Sequence, residues 1–554
     1  MNPSKKEVSI YKVSLIVVLC AIAQLSQAQK KYPTADIEPY YDLNFTQAER
    51  DSLFKGLEDY QKSYQAIHQY KLKNSTPMSV VFDPIPMGMQ IETIQKPIDW
   101  GLPVSVSMPS NKEALAFYPV YKLAVLIKSK KISSLELTQL YLKRIKKYAD
   151  TLQCSILVLE QSAIAQAKKA DDEISKGKYR GPLHGIPYGI KDLLSVEGTE
   201  TTWGAAPFQD QVINETATVV KKLEDAGAVL IVKLTLGALA MGDIWYGGVT
   251  KNPWSLNEGS SGSSAGSASA TVAGLVAFAI GTETLGSIVS PSTRCGASGL
   301  RPTFGRVSRY GAMALSWSMD KIGPICRSAL DGAIVLNTIR GPDGLDNHVR
   351  NAAFNFSGKA DIKKLKVGYL KAQFDATYPT KANDQKALEV LKSLGIALVP
   401  IELPTAMPVN AIRLMLSAEA AASFDELTRS NRDSLLTDQR RNAWPNSFRT
   451  ARFIPAVEYI NASRIRYELI QAYHEKTKDF DVILSPSFGG TQLLTTNLTG
   501  HPCVVVPNGF NDKGSPTSIS FLGKLFGEAA VVSLAHAYQQ ASDWEDMVPP
   551  MFKD

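Results

Sequence analysis

Two hydroxyl-rich stretches, SSGSSAGS (Ser260–Ser267) and GTETLGSIVS (Gly281–Ser290), set nine serine and threonine hydroxyls among glycines. Cleavage of an amide or ester by a hydroxyl needs a nucleophile, a base to take its proton, and donors to hold the oxyanion. Within the first stretch, Gly262-Ser263-Ser264-Ala265-Gly266 matches G-x-S-x-G. In α/β-hydrolases that motif carries the nucleophile on a sharp turn between a strand and a helix. It would make Ser264 the nucleophile of an esterase, with a later Asp and either His501 or His536 completing a triad. The residues ahead of it, NPWSLNEGS, read as a loop and not as the apolar strand the motif requires. A different base is available in Lys191, which stands in the apolar stretch PYGIKDLL. Burial disfavours the ammonium form, so a buried lysine can take a serine proton near neutral pH. Other chemistries lack their residues. The Ser/Gly stretch has no Lys-Ser/Thr ending and so is not a P-loop, no H-E-x-x-H occurs, and the six histidines are scattered, so neither a metal nor a cofactor is expected.

The flanking sequence shows which elements must hold these residues. VYKLAVLIKSKK has helical spacing of apolar residues, and Ser133 with Glu136 fits a capping box that opens the helix LELTQLYLKRIKKY. AIAQAKKADDEISKG reads as an amphipathic helix, and GPLHGIPYGIKD as a loop feeding a short strand. ATVVKKLEDAGAVLIVKLT gives helix, glycine turn and buried strand, the rhythm of an α/β protein. After the Ser/Gly region, ATVAGLVAFAIGTE reads as a buried helix and then a strand. Residues from about Gly341 to Phe480 look mostly helical, ILSPSF and PCVVVP look like buried strands, and GEAAVVSLAHAYQQAS is a closing helix. No repeat or linker divides the chain, so one large α/β domain is expected from residue 114 to 548.

Composition narrows the class. Apolar residues make up 44 % and charged residues 20 % of the 554, which suits a globular protein with a sizeable core. The formal charge of +7 comes without a dense basic block; KSKK (Lys128–Lys131) and KRIKK (Lys143–Lys147) read as solvated helix faces, and no nucleic-acid partner is expected. At the N-terminus, Lys5, Lys6 and Lys12 precede the apolar run Val13–Leu25 and then Ser26-Gln27-Ala28. This pattern is a secretory signal peptide, residues 1–28, with cleavage after Ala28. The run is too short to span a bilayer comfortably. The mature protein is therefore expected to be exported, periplasmic or secreted, with no stable membrane insertion. Residues 29–113, rich in Tyr, Asp and Pro, read as an extension that wraps the larger domain. Cys154, Cys295, Cys326 and Cys503 remain after cleavage, too far apart for a zinc site and unpairable from sequence alone.

GPLHGIPYGIKD, followed by the long block from KNPWSLNEGSSGSSAGSASATVAG to GPICRSALDGA, resembles the amidase signature family. The resemblance is dense from about Val120 to Thr338 and returns in LTGHPCVVVPNGF and KGSPTSISFLGKLFGEAAVV. It implies an α/β fold, a single large domain with a central mixed β-sheet covered by helices on both faces. It implies an amidase acting on a small-molecule or peptide amide, as a monomer or homodimer. The family's Ser–cis-Ser–Lys triad maps onto Lys191 (G-I-K-D), Ser263 as the bridging serine, and Ser287 (T-x-G-S) as the nucleophile. The 24-residue interval between the two serines fits the family pattern. Backbone N–H groups of Thr284, Leu285 and Gly286 would then hold the oxyanion. Several positions depart from the pattern: Leu285 stands where the family has glycine, Val289 where it has arginine, and Glu283 where it has aspartate. Leu cannot adopt a positive φ cheaply. Arg294 is a candidate partner for Glu283. These departures keep open a catalytically weak member that only binds amides.

Overall fold

The structure, a computed structural model, describes residues 34–44, 46–69, 73–76 and 80–553. The expected signal peptide (residues 1–28) lies outside the described residues. The described residues fall into two compact units, divided between Lys73 and Asn74. The smaller contains a 23-residue helix, Gln47–Gln69, and a short N-terminal helical turn whose Glu38 receives both Nε and Nη2 of Arg50 at 2.9 Å. The larger unit holds the rest.

Eleven strands of the larger unit form one sheet. They are β1 (Ser155–Val158), β2 (Pro187–Lys191), β3 (Val229–Leu234), β4 (Phe278–Glu283), β5 (Ser298–Arg301) and β6 (Lys321–Cys326). Then come β7 (Val367–Leu370), β8 (Leu398–Ile401), β9 (Val482–Pro486), β10 (Cys503–Phe510) and β11 (Pro516–Gly523). Their order is β1-β3-β2-β4-β6-β5-β10-β11-β9-β7-β8. The sheet is mixed: β3-β2-β4 and β9-β7-β8 run parallel, and the strands between them pair antiparallel. Every residue of β2, β3, β4, β6, β9 and β11 is buried, which requires cover on both faces. Helices α1 (Val120–Lys128), α2 (Ser134–Leu152), α3 (Glu160–Ser175), α4 (Thr218–Asp225), α5 (Ala265–Val272), α6 (Val289–Cys295) and α7 (Ala329–Ile339) supply part of it. In the C-terminal half, α8 (Lys381–Ser393), α9 (Ala456–Thr477), α10 (Gln492–Leu498) and α11 (Glu528–Gln540) supply the rest. α7 and α11 pack on each other and on β5, β6, β10 and β11, while α5 and α6 form a second pair against β4, β6, β10 and β11.

The capping box forms as the spacing predicts: Ser133 Oγ accepts from Glu136 N at 3.0 Å, and Glu136 Oε2 accepts from Ser133 N at 3.0 Å. Two readings are corrected and one is extended. NPWSLNEGS is a small hairpin, Lys251–Asn252 with Ser255–Gly259, outside the central sheet. The stretch 341–480 is mostly helical, as expected, and also carries two four-residue strands, β7 and β8. Arg144 of KRIKK is buried, with its guanidinium donating to the carbonyls of Ala273, Gly274 and Phe552 at 2.7–2.9 Å, so that side of α2 is not solvated. Residues 80–113 belong to the larger unit. Asp99 bridges Ser357, Gln95 Nε2 donates to Phe354 O at 3.0 Å, and the Arg466 guanidinium sits 3.5 Å over the Phe82 ring. Among the described residues, no helix is long and apolar enough to cross a membrane.

Candidate active site

β2 and β4 are adjacent and parallel, with Ile190 level with Ile280. Their carboxyl ends therefore deliver Lys191 and Thr282 to one place, the edge where parallel strands of α/β proteins present their functional groups. The pleat separates Lys191 from its neighbour Asp192. Asp192 turns to a separate buried pair with Lys233 at 2.7 Å, so Lys191 and Asp192 are not a surface couple. Lys191 is fully buried, and its Nζ donates to Ser263 Oγ at 2.7 Å, Thr282 Oγ1 at 2.9 Å and Ser264 Oγ at 3.2 Å. Burial drives its amine down to about 7, and the carboxylates of Asp320 and Glu283 pull the other way. As a neutral amine it keeps two N–H donors for Thr282 and Ser264 and offers its lone pair to the Ser263 hydroxyl.

The Ser/Gly stretch is less of a loop than its composition suggests, because α5 begins at Ala265. Ser264 ties the start of that helix to β4: its Oγ donates to Thr282 O at 3.0 Å and accepts from Thr282 N at 3.1 Å. Its proton is thus committed to a carbonyl. His501 bonds Thr499 at 2.8 Å, and His536 packs edge-on against Tyr121, so neither histidine reaches Ser264 and the elbow triad does not form. The peptide bond between Gly262 and Ser263 is cis. Gly262 admits no side chain, since a Cβ there would lie 1.8 Å from Gly242 O.

Ser287 follows β4 after a tight turn. Ser264 N donates to Ser287 O at 3.2 Å, which fastens the two serine segments backbone to backbone. Among the described residues the Ser287 hydroxyl has no hydrogen-bond partner, and the N–H groups of Leu285, Gly286 and Ser287 donate to no protein acceptor. Gly286 and Ser287 are buried residues and Leu285 is partly buried; three amides in a row without a protein acceptor, beside an unengaged hydroxyl, form a ready cradle for an oxyanion. Thr284 serves differently, through its side chain, whose Oγ1 donates to Asp320 Oδ1 at 2.6 Å. Gly286 alone takes the positive φ of this turn, +82°. Leu285 therefore needs no glycine-like backbone, and its side chain packs against an apolar cluster that includes Met319, Leu469, Leu494 and Leu498.

Glu283 closes the turn. Its Oε2 accepts from Ile288 N at 2.8 Å and Val289 N at 3.0 Å, and its Oε1 accepts from Arg301 Nη1 and Asn497 Nδ2, both at 2.8 Å. Burial pushes this carboxyl up, but the Arg301 charge and these donors outweigh it and hold it at about 2. The partner is thus Arg301 on β5, not Arg294, which pairs with Glu258 at 3.1 Å. Arg301, Asn497 and Asp320 escaped the reading of the sequence. Asn497 stands 214 residues from Glu283, and no local pattern links them. Three cavities border this region. One of 90 Å³ touches Thr282, Thr284 and Asp320; one of 370 Å³ touches Met241, Gly242 and Arg441; one of 570 Å³ touches Ser261 and Ser290. The first is nearest the chemistry although it is the smallest.

A buried lysine, two serines and a row of open amides at the end of a mixed α/β sheet define a serine amidohydrolase site of Ser-Ser-Lys type. The family model described as Amidase matches residues 136–495, and the chain belongs to the amidase signature family. It is 33 % identical over 479 residues, 78 % of this chain and 98 % of the relative, to a glutamyl-tRNA(Gln) amidotransferase subunit of Marinomonas sp. (strain MWYL1). The native peptide amidase of Stenotrophomonas maltophilia superposes with a TM-score of 0.70 at 28 % identity, covering 80 % of this chain and all of that one. A bacterial aryl acylamidase of the amidase signature family shares the fold, with a TM-score of 0.68 at 21 % identity over 78 % of this chain and 97 % of that one.

Proposed function

We propose that this amidase hydrolyses a linear carbon–nitrogen amide bond through an acyl-enzyme on Ser287. Neutral Lys191 takes the proton of Ser263 as Ser263 takes that of Ser287. Ser287 Oγ attacks the amide carbonyl, and its developing oxyanion falls to the amides of Leu285, Gly286 and Ser287. Ser263 returns a proton to the leaving nitrogen as the C–N bond breaks, releasing ammonia or an amine. Water then cleaves the ester, and the relay runs again in reverse. The observation that carries this reading is the 2.7 Å contact of a buried, neutral-prone Lys191 with Ser263 beside an unengaged Ser287. The Ser263–Ser287 contact closes in the substrate complex, as catalytic hydrogen bonds commonly do. The likeness to a peptide amidase favours a small or peptide amide as substrate. The secretory leader favours an exported enzyme, periplasmic or secreted, which argues against the transfer role for which the amidotransferase relative is named.

Labelling with a serine-reactive fluorophosphonate, followed by peptide mapping, tests the assignment. The label is expected on Ser287 and is expected to vanish in Ser287→Ala and Lys191→Ala. Label on Ser264 would restore the esterase reading, and no label would make the chain an amide-binding protein. N-terminal sequencing of protein recovered from the periplasm or medium is expected to begin at Gln29.

A further inference from the structure

The proposed reaction leaves the 570 Å³ cavity unused. It lies where the parallel strands β7 and β9 run out, between the segment 371–380 after β7 and the segment 487–490 after β9. Crevices at the carboxyl ends of parallel strands are the common ligand sites of α/β sheets. Ala372, Ala376, Pro379, Phe488, Pro516 and the ring of Tyr378 give it largely apolar walls.

Into this setting comes a carboxylate. Asp384, on α8, lines the cavity and is 1 % exposed. It accepts a hydrogen bond from Asn508 Nδ2 at 2.7 Å, and Asn508 is locked in that orientation by the Thr517 hydroxyl, which donates to Asn508 Oδ1 at 2.7 Å. No cation among the described residues pairs with it. Arg294, on the cavity wall, is engaged by Glu258, which Ser515 Oγ also holds at 2.8 Å. The Tyr378 hydroxyl, also on the wall and buried, lies against the same carboxylate as a second neutral partner. A buried carboxylate without a counter-charge is unfavourable, and burial pushes this one up to about 6 against the lowering pull of Tyr378 and Asn508.

We propose that this cavity binds a primary ammonium carried on an apolar body, with the charge against Asp384 and the body against the Tyr378, Phe488 and proline walls. The ligand class follows from complementarity: an ammonium supplies the counter-charge that the two neutral partners, Asn508 and Tyr378, leave missing. The cavity also borders the triad. Ser261 and Ser290 line it and share a hydrogen bond of 2.8 Å, and they stand two residues before Ser263 and three after Ser287. One source of the ammonium is then a basic group on the substrate itself, an assignment that rests on the amidase reading. The other is a free amine that acts as an effector.

Isothermal titration with 2-phenylethylamine on the full chain tests the site. Wild type and Ser287→Ala are expected to bind it equally. Asp384→Asn is expected to weaken binding at least tenfold, as is Ala376→Phe, which fills the cavity from its exposed wall. The neutral isostere 2-phenylethanol is expected to bind wild type at least tenfold more weakly than the amine. Should Asp384→Asn fail to fold, Ala376→Phe and the alcohol carry the test. No heat with wild type, equal affinity for amine and alcohol, or binding unchanged in both variants would overturn the proposal. Competitive inhibition of amide turnover would assign the site to the substrate; an effect on kcat alone would assign it to a separate amine. Turnover that survives in Ser287→Ala would remove the catalytic reading and leave the binding site standing.

Discussion

Lys191 is a base because of where β2 ends. Full burial takes away the water that would stabilise its ammonium form, and two nearby carboxylates only partly restore it. With its amine near 7, the enzyme loses its base as pH falls through that value. kcat/KM is expected to drop about tenfold per pH unit below about 7 and to level off above it, as a profile from pH 5 to 9 would show. Lys191→Ala is expected to lower kcat/KM by about a hundred- to ten-thousand-fold, the usual range for a lost general base. The same burial has a cost in stability, with a definite sign. The folded lysine releases its proton near 7 while the unfolded one holds it to 10.5, so the unfolded state binds more protons between these values. The cost is full below about 7 and fades as pH rises toward 10.5. Denaturation of Lys191→Met against wild type at pH 7 and pH 10 is expected to show a gap that shifts in favour of wild type at the higher pH.

The turn between β4 and α6 shows what the scale of elements adds. Its chemistry was legible: Lys191, Ser263 and Ser287 were singled out from type, spacing and resemblance, and the structure brings Lys191, Ser263 and the Ser287 backbone together. Its mechanics were not legible. Leu285 looked like a strained replacement for glycine, yet the positive φ falls on Gly286, and Leu285 anchors the turn in an apolar cluster instead. For Glu283 the sequence offers the nearby Arg294, yet β5 supplies Arg301 and α10 supplies Asn497, both from distant segments that meet only through the sheet order. β7 and β8 were hidden for a related reason. VGYL and LVPI are four-residue apolar runs among helices, and only the pairing of β7 with β9 and of β8 with β7 makes them strands. Glu283→Gln keeps the shape of the clamp but leaves Arg301 buried without a counter-charge. It is expected to cost about 3–5 kcal/mol by denaturant unfolding and to lower kcat by more than KM changes. It also removes a negative charge that favours the Lys191 ammonium, so the acid limb of its pH profile is expected to move to lower pH. Gly286→Ala meets only Leu493 at 3.4 Å, so its cost is conformational. About 1–2 kcal/mol is expected for an alanine held in the left-handed region, with a larger relative loss in kcat as the amides rotate away from the oxyanion.

Over the whole molecule, the sheet that aligns the triad also buries every cysteine of the described chain. Cys154, Cys295, Cys326 and Cys503 are all free and buried, set on or beside separate elements of the core. Burial pushes the Cys154 thiol up to about 12 and the Cys503 thiol up to about 11, and it raises the other two as well. Reactivity with a disulfide reagent requires both access and the thiolate, and the fold withholds both. This gives the proposed export a structural consequence. An exported enzyme meets an oxidising compartment, where exposed thiols would pair, and here none is offered. Native protein purified without reductant is therefore expected to give no rapid reaction with Ellman's reagent. The same sample unfolded in guanidinium, still without reductant, is expected to release four thiols per chain. A count of two would mean that one pair had joined and that the core had opened to allow it. A count of five would mean that Cys20 persists, and with it the leader, so one titration reads both the integrity of the core and the processing of the N-terminus.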